Sequence, residues 1–114
     1  MKFVRFENTE RYVNSDKCEV WEYLMDDPEI NCAIAKIKGR YPDKGYCVNT
    51  QCKSLIYILE GAGTLTMKNG EVVIFKEKDA ILIDQNEAYF WNGFCTLVMP
   101  STPAWTAKQY KMVD

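Results

Sequence analysis

The chain has 114 residues, of which 47% are hydrophobic, so it has room for one globular domain and no second one. Its 14 basic and 16 acidic residues give a net charge of −2, which excludes the basic surface that binds nucleic acid or an anionic membrane. No window approaches the roughly 20 apolar residues of a membrane span. We therefore expect a soluble cytoplasmic protein whose partners are not nucleic acids or membranes.

The chain contains five cysteines and no histidine. An odd number of cysteines, widely spaced and without a C-x-x-C pair, is typical of reduced thiols. Free cysteine is among the most buried residue types, so we expect these side chains to act mainly as small core residues. They are Cys18, Cys32, Cys47, Cys52 and Cys95.

Short strands separated by turn signals follow one another from about residue 18 onward. No stretch keeps apolar residues at helical spacing for the length of a core helix. Alternation is clear in the segment that begins at Asn31 and ends at Gly39, and a loop rich in turn residues follows it. The strands predicted in the first half of the chain are 18–25, 31–38, 46–50 and 53–59.

A hairpin at Asn69-Gly70 is the strongest local signal in the second half, because Asn-Gly favours a two-residue type I′ turn. Asn86 lies in a later tight turn and is suited to a positive φ. The residues after Pro100 are predicted to form an extended strap. Strands are predicted at 64–68, 71–76, 79–83, 87–91 and 95–99. Many short strands at this spacing predict a closed all-β architecture, because closure removes exposed strand edges.

Three segments together resemble the cupin family. They are the turn in Tyr57-Ile58-Leu59-Glu60-Gly61-Ala62-Gly63, the Asn69-Gly70 hairpin and the strand at 79–83. Segments 39–45 and 103–105 are similar to those of small single-domain bacterial and archaeal cupins. The resemblance implies an antiparallel cupin-type barrel, a jelly-roll-like double-stranded β-helix. It spans one domain at 1–114, with an N-terminal arm at 1–17 and a C-terminal strap at 100–114. It also implies a homodimer, which would cover surplus apolar surface.

Cupin metal sites are usually built from three histidines and a glutamate, and this chain has neither residue type at the matching positions. Taking Gly61 as the glycine that closes the first motif fixes the alignment. The residues then found at the ligand positions are Cys47 or Val48, Asn49 or Thr50, Ser54, and Tyr89. Neutral amide and hydroxyl groups bind Zn or Fe(II) poorly, so we predict no metal and no other cofactor.

A barrel without metal still has an interior, and strand parity predicts what lines it. If Ser54 points inward, Ile56 and Ile58 do so too, and an inward Tyr89 turns Trp91 inward. Tyr89 is the one catalytic candidate, since a phenol there can donate a hydrogen bond or act as a general acid. The predicted ligand-binding residues are Asn49, Gln51, Ser54, Tyr89 and Trp91.

Three functions fit this sequence. The first is a metal-free cupin that binds a small organic molecule, such as a sugar or an aromatic or apolar metabolite. The second is a metal-independent isomerase, epimerase or lyase that acts on a sugar or carbonyl compound through Tyr89 and a second polar group. It lacks the histidine best suited to proton transfer near neutral pH. The third is a structural or interaction protein whose aromatic interior is packed shut.

Overall fold

A computed structural model describes all residues from 1 to 114 and confirms the all-β prediction. Nine antiparallel strands form one curled sheet, and the only other regular elements are two three-residue 3-10 turns. No helix has the length and apolar character needed to span a membrane. The strands are β1 (Glu10–Ser15), β2 (Cys18–Tyr23), β3 (Asn31–Tyr41), β4 (Tyr46–Asn49), β5 (Lys53–Met67), β6 (Val72–Lys76), β7 (Ala80–Ile83), β8 (Ala88–Thr102) and β9 (Tyr110–Val113).

Strand β8 organises the sheet, because it is paired along both edges. One edge pairs with β3 over most of its length and with β4 at its start, and the other pairs with β5. Strands β1 and β2 extend the sheet beyond β3, while β6 and β7 both pair with β5. The sheet therefore curls around one interior that the inner residues of every long strand must fill.

Strand parity gives an inner and an outer row to β5 before its bulge and to the start of β8, as predicted. In β5, Ser54, Ile56 and Ile58 are buried while Leu55 and Leu59 are exposed. In β8, Tyr89 and Trp91 are each only 3% exposed. Large inner side chains fill the part of the barrel between β5, β6 and β7, where Phe75 packs edge-on against Trp91 at 5.7 Å between ring centroids.

The inner rows of β2 and β3 carry smaller side chains than the rest of the core. Val20 lies opposite Ala35 and Cys18 lies opposite Ile37, and all four face the interior. Ala33, the next inner residue of β3, is 4% exposed. Because these side chains are too short to reach across the barrel, space is left on this side of the core.

The segment predicted as a turn between two strands at 59–63 is instead a bulge within one long strand. Strand β5 runs without interruption from Lys53 to Met67, and its register against β8 shifts between Ile58 and Glu60. Gly61 lies just after the shift with φ of +88°, and a side chain there would overlap the carbonyl oxygen of Phe94. A bulge bends a strand and lets the sheet curl, which explains why the turn-like composition does not end the strand.

The Asn69-Gly70 hairpin is present, but its turn is not type I′. Only Gly70 has a positive φ, and its N–H donates to the Met67 carbonyl at 2.9 Å. Asn69 instead uses its side-chain oxygen to accept the Glu71 N–H at 2.9 Å. This geometry is a type I turn followed by a left-handed glycine, a longer connection than predicted. The positive φ predicted for Asn86 is confirmed at 64°.

The two ends of the chain contain more strand than predicted. The segment at 1–17 includes β1, which pairs with β2, and the segment after Pro100 ends in β9, which pairs with β4. Between β8 and β9 the chain is held by side chains. Asn31 exchanges two hydrogen bonds of 2.9 Å with the backbone of Trp105, and the buried Gln109 accepts the Cys52 N–H at 2.8 Å.

Candidate functional site

The space beside β2 and β3 is a cavity of about 120 Å³. That volume is several times what one buried water needs, roughly 10–15 Å³. Fourteen of the 19 residues around it are hydrophobic, so an organic molecule is a better occupant than bulk water. Strands β1, β2, β3, β4, β5, β8 and β9 and the segment between β8 and β9 all contribute. Its aromatic residues are Tyr12, Tyr41, Tyr89, Trp91, Trp105 and Tyr110.

The structure places four of the five predicted ligand-binding residues around this cavity. These are Asn49, Ser54, Tyr89 and Trp91. Gln51 does not line it: its side chain is exposed, and its backbone N–H donates to Gln109 at 3.2 Å. Strand β4 ends at Asn49, so the alternation used to turn Gln51 inward does not continue through the Thr50–Cys52 connection.

Tyr89 lies deep in the cavity beside Cys47. Burial, together with the neighbouring Cys47, raises the pKa of Tyr89 well above its usual value of 10. Burial also raises the pKa of Cys47 to about 11. Both groups are therefore protonated at neutral pH, and the phenol is available as a hydrogen-bond donor rather than as a base.

A pair of tyrosine hydroxyls lies close to Tyr89 and Cys47. The hydroxyls of Tyr41 and Tyr110 lie 2.7 Å apart and hydrogen-bond to each other. Burial raises the pKa of both tyrosines, and Cys47 and Tyr89 act on Tyr110 in the same direction. Three neutral phenols and one thiol thus share one end of the cavity without any positive charge among them.

Asn49 and Trp105 connect the barrel wall to the C-terminal segment. The indole N–H of Trp105 donates to Asn49 Oδ1 at 3.0 Å, and Asn31 fixes the Trp105 backbone. Trp105 packs edge-on against Tyr12 with ring centroids 5.6 Å apart. The amide nitrogen of Asn49 donates to no other residue of the chain. Asn49 therefore positions Trp105 with its oxygen, and its two amide N–H donors have no partner in the chain.

Ser54 is buried at the far side of the cavity, on β5. Its hydroxyl lies 2.7 Å from that of Ser101 on β8, and the two residues are also paired in the sheet register. Each hydroxyl can donate once and accept twice, so this pair still has lone pairs to offer. Ser54 contributes polarity to the cavity, but its first hydrogen bond is already made within the barrel.

Glu22 is the residue that sequence reasoning missed. It is only 5% exposed, lies on the inner row of β2 and lines the cavity. Burial, with a smaller contribution from the charge of Glu10, raises the pKa of Glu22 to about 7. No group of the chain donates a hydrogen bond to its carboxyl. It is therefore an ionisable group poised near neutral pH and directed at the empty part of the barrel.

Strand parity in β2 places Glu22 on the same face as Cys18 and Val20. The sequence does not show that this face is the interior, because the opposite face also carries apolar residues. Cys18 and Val20 share the inner row with Glu22, whereas Trp21 and Tyr23 occupy the outer row. The outer Trp21 is covered by Phe6, whose ring centroid lies 6.1 Å away. Because the N-terminal residues shield the outer face, apolar content alone does not show which face is the interior.

The groups around the cavity that could act as metal ligands do not suit a catalytic transition metal. Cys47 is held as a thiol, Asn49 Oδ1 accepts from Trp105, and Ser54 bonds to Ser101. Zn and Fe(II) sites need imidazole, thiolate or carboxylate groups converging from about three directions. No group of three or more His, Cys, Asp and Glu side chains lies together anywhere in the structure.

Comparison with solved structures identifies the fold. Pac13, described as a nucleoside dehydratase, superimposes with a TM-score of 0.84 over 99% of this chain and 92% of its own, at 20% identity. Ectoine synthase from P. lautus gives a TM-score of 0.73 over 100% of this chain and 91% of its own, at 15% identity. An RmlC-like cupin from Shewanella frigidimarina gives 0.70 over 90% of both chains, at 17% identity.

The chain has the cupin fold. Its sequence matches no family model, and it matches no curated protein. The resemblance seen in the 57–63 segment and the hairpin is therefore confirmed at the level of the barrel. At these identities the likeness concerns the fold, and the chemistry of this cupin barrel has to be argued from its own residues.

We predict that this cupin contains no stoichiometric transition metal, because its ligand positions carry a thiol, an amide, a hydroxyl and a phenol. Elemental analysis of the untagged protein should give far less than about one Fe, Ni, Mn or Zn per chain. A histidine tag must be removed first, since it would supply the only imidazoles. About one metal ion per chain, retained through dialysis against a chelator, would overturn the prediction.

We predict that Glu22→Gln stabilises the protein at alkaline pH. The carboxyl pKa is 4.5 ordinarily and about 7 in the fold, so the folded state binds more protons between these values. The free energy of unfolding therefore falls in the wild type as pH rises through this window. The variant should match the wild type near pH 4 and exceed it by on the order of 3 kcal/mol near pH 8.

Urea denaturation across that pH range measures the difference directly. Glu71→Gln is the matched control, because Glu71 is an exposed glutamate beside the hairpin turn. The control should follow the wild type at every pH. A Glu22→Gln difference that does not change with pH would show that the carboxyl is not destabilised by burial.

Proposed function

We propose that this protein binds a small organic molecule inside the cupin barrel without a metal ion. One observation carries the proposal: two polar groups of the cavity lining, the Glu22 carboxyl and the Asn49 amide nitrogen, take part in no hydrogen bond within the chain. A barrel that served only as a scaffold would gain stability by filling this space and pairing these groups. Their retention supports the binding function over the structural alternative.

The fold neighbours include proteins that bind or act on small molecules. Streptomyces PAC13 has been solved with uridine, at a TM-score of 0.85 and 20% identity to this chain. Pac13 is a nucleoside dehydratase and ectoine synthase is named as an enzyme of a small metabolite. These neighbours support a small organic molecule as the ligand of this barrel. The aromatic walls favour a ligand with an aromatic or apolar body over a bare sugar.

A metal-independent isomerase, epimerase or lyase is the second candidate, and Glu22 favours it. The sequence lacks histidine, and a carboxyl with a pKa of about 7 supplies the missing proton acceptor. Tyr89, protonated at all physiological pH values, would be the donor to a carbonyl or leaving oxygen. Such an enzyme would act on a sugar or carbonyl compound. Turnover of a bound compound separates this candidate from simple binding.

We further propose that two copies associate through the outer face of β5 and β7. Leu55 and Leu82 are cross-strand neighbours there and are 50% and 59% exposed. Tyr57 and Leu59 extend the same exposed row along β5. A contiguous apolar patch of this kind is typical of an interface between protein chains. The five free thiols support the cytoplasmic location that the composition predicts.

We predict that a thermal-shift screen of small metabolites finds compounds that raise the melting temperature of the wild type, because binding to the folded state alone stabilises it. Tyr89→Phe should weaken the binding of such a compound while leaving the fold intact, since it removes only a hydroxyl. Trp91→Ala should destabilise the protein by about 3–5 kcal/mol, because it removes a large buried ring. Calorimetry and urea denaturation measure the two effects.

Glu71→Gln, which changes an exposed side chain beside the hairpin turn, serves as the control. It should leave binding unchanged. If no compound shifts the melting temperature, the binding function fails. If compounds bind but Tyr89→Phe binds them as tightly as the wild type, Tyr89 is not part of the site.

We predict a dimer in solution that depends on Leu55. Light scattering at about 50 μM should give twice the chain mass for the wild type and the chain mass for Leu55→Lys, which places a charge in the buried centre of the interface. Val13→Lys is the control, because Val13 is 59% exposed on β1, away from this face. A wild-type particle of monomer mass at that concentration contradicts the proposal.

A further inference from the structure

We infer that the cavity selects a small organic cation, a protonated amine with an aromatic or apolar body, whose ammonium group pairs with the Glu22 carboxylate. The inference rests on the proposed binding function and names the chemical class of the ligand. It depends on three features of the cavity: its charge, its aromatic walls and the surroundings of Glu22.

The residues that line the cavity include a negatively charged group and no positively charged one. Glu22 is the only carboxyl among the residues that line it, and no lining residue is Lys, Arg or His. Glu22 is 5% exposed and has no hydrogen-bond donor in the chain. A buried carboxylate without a partner is costly, and pairing it with a cation recovers much of that cost. The ammonium group of a ligand supplies the positive charge that the lining residues lack.

The aromatic walls reinforce this preference. Six aromatic side chains surround the cavity, and the faces of such rings carry a negative potential that attracts cations. Tyr12 and Trp105 meet at one side with ring centroids 5.6 Å apart, and Tyr89 and Trp91 meet deeper in the barrel at 5.8 Å. A phosphate or carboxylate ligand would find no positive charge in this lining and would be repelled by Glu22.

The groups that face Glu22 from neighbouring strands add no positive charge. Glu10 on β1 is its direct cross-strand partner, and the Tyr12 hydroxyl donates to Glu10 Oε1 at 2.7 Å. On the other side β3 contributes Ala33 opposite Glu22, with the Cys32 thiol nearby. The Cys52 thiol is the remaining titratable neighbour. A second carboxylate at the rim therefore extends the negative potential from the interior towards solvent.

The expected pH dependence follows from these groups. The ammonium of an aliphatic amine stays charged up to about pH 9, while Glu22 must lose its proton to pair with it. Affinity for an amine should therefore rise as pH increases from about 5 to about 8. Affinity for a neutral ligand of the same shape should change little or fall, because it gains nothing from the carboxylate.

A matched set of three probes tests the charge preference. Tyramine carries an ammonium, 4-(2-hydroxyethyl)phenol carries a hydroxyl, and 4-hydroxyphenylacetate carries a carboxylate, all on the same aromatic body. Calorimetry or NMR titration of the wild type near pH 8 should show tyramine binding at least about tenfold more tightly than the alcohol. The anion should bind more weakly than the alcohol.

Two variants show whether Glu22 is the source of the preference. Glu22→Gln should bring the affinities for tyramine and for the alcohol to within about twofold of each other and remove the pH dependence. Glu19→Gln, on the outer row of the same strand and paired with Arg11, should keep the wild-type preference. Urea denaturation confirms that both variants fold, and Glu22→Gln is expected to be the more stable protein near pH 8.

The outcomes of these experiments distinguish an incorrect ligand class from an incorrect binding function. If the alcohol or the anion binds the wild type as tightly as tyramine, or if Glu22→Gln keeps the preference, the inference is wrong and the binding function stands. If none of the probes binds at about 10 mM and no metabolite shifts the melting temperature, both fail together. Metabolite binding by the cavity without any binding of tyramine overturns the inference alone.

Discussion

The double pairing of β8 is the constraint on which the rest of this protein depends. Because β3 and β4 occupy one edge and β5 the other, β8 cannot rotate about its axis, and its inner row is fixed. Tyr89 and Trp91 therefore point into the barrel whatever else changes. The bulge near Gly61 lets β5 curve with it, so that a single sheet encloses the interior.

The chemistry of the interior is that of a cupin barrel without its usual imidazoles. The predicted ligand positions carry a thiol, an amide, a hydroxyl and a phenol, and burial keeps the thiol and the phenol neutral, while the one carboxyl that lines the cavity lies elsewhere, on β2. A carboxylate in an apolar cavity can concentrate charge without a metal ion. The protein carries this group at a cost in stability above neutral pH, as functional groups commonly do.

The fold was largely predictable from sequence, and the site only partly. Alternation fixed the inner rows of β5 and β8, because long strands with one buried face have an unambiguous parity. Sequence-based prediction fails where the alternation of inner and outer residues is interrupted, or where both faces of a strand carry apolar residues. Gln51 is exposed because β4 ends before it. The residues predicted to form a turn are a bulge within β5. In β2, apolar residues on the outer face prevent the sequence from showing that Glu22 faces the interior. Long-range contacts, such as those of Asn31 and Gln109 with the C-terminal segment, leave no local pattern in the sequence.

Because the short side chains of β3 are apolar, the size of the cavity is set by different residues from those that set the charge and polarity of its lining. Ala33 and Ala35 set how much room the barrel has, while Glu22, Asn49 and the aromatic rings set the charge and polarity of its lining. A Leu or Met in place of either alanine would shrink the chamber without touching a single polar group. Variants at these two positions would therefore change the size of molecule that the barrel admits while keeping the charge of its lining, so the scaffold suits graded size selection.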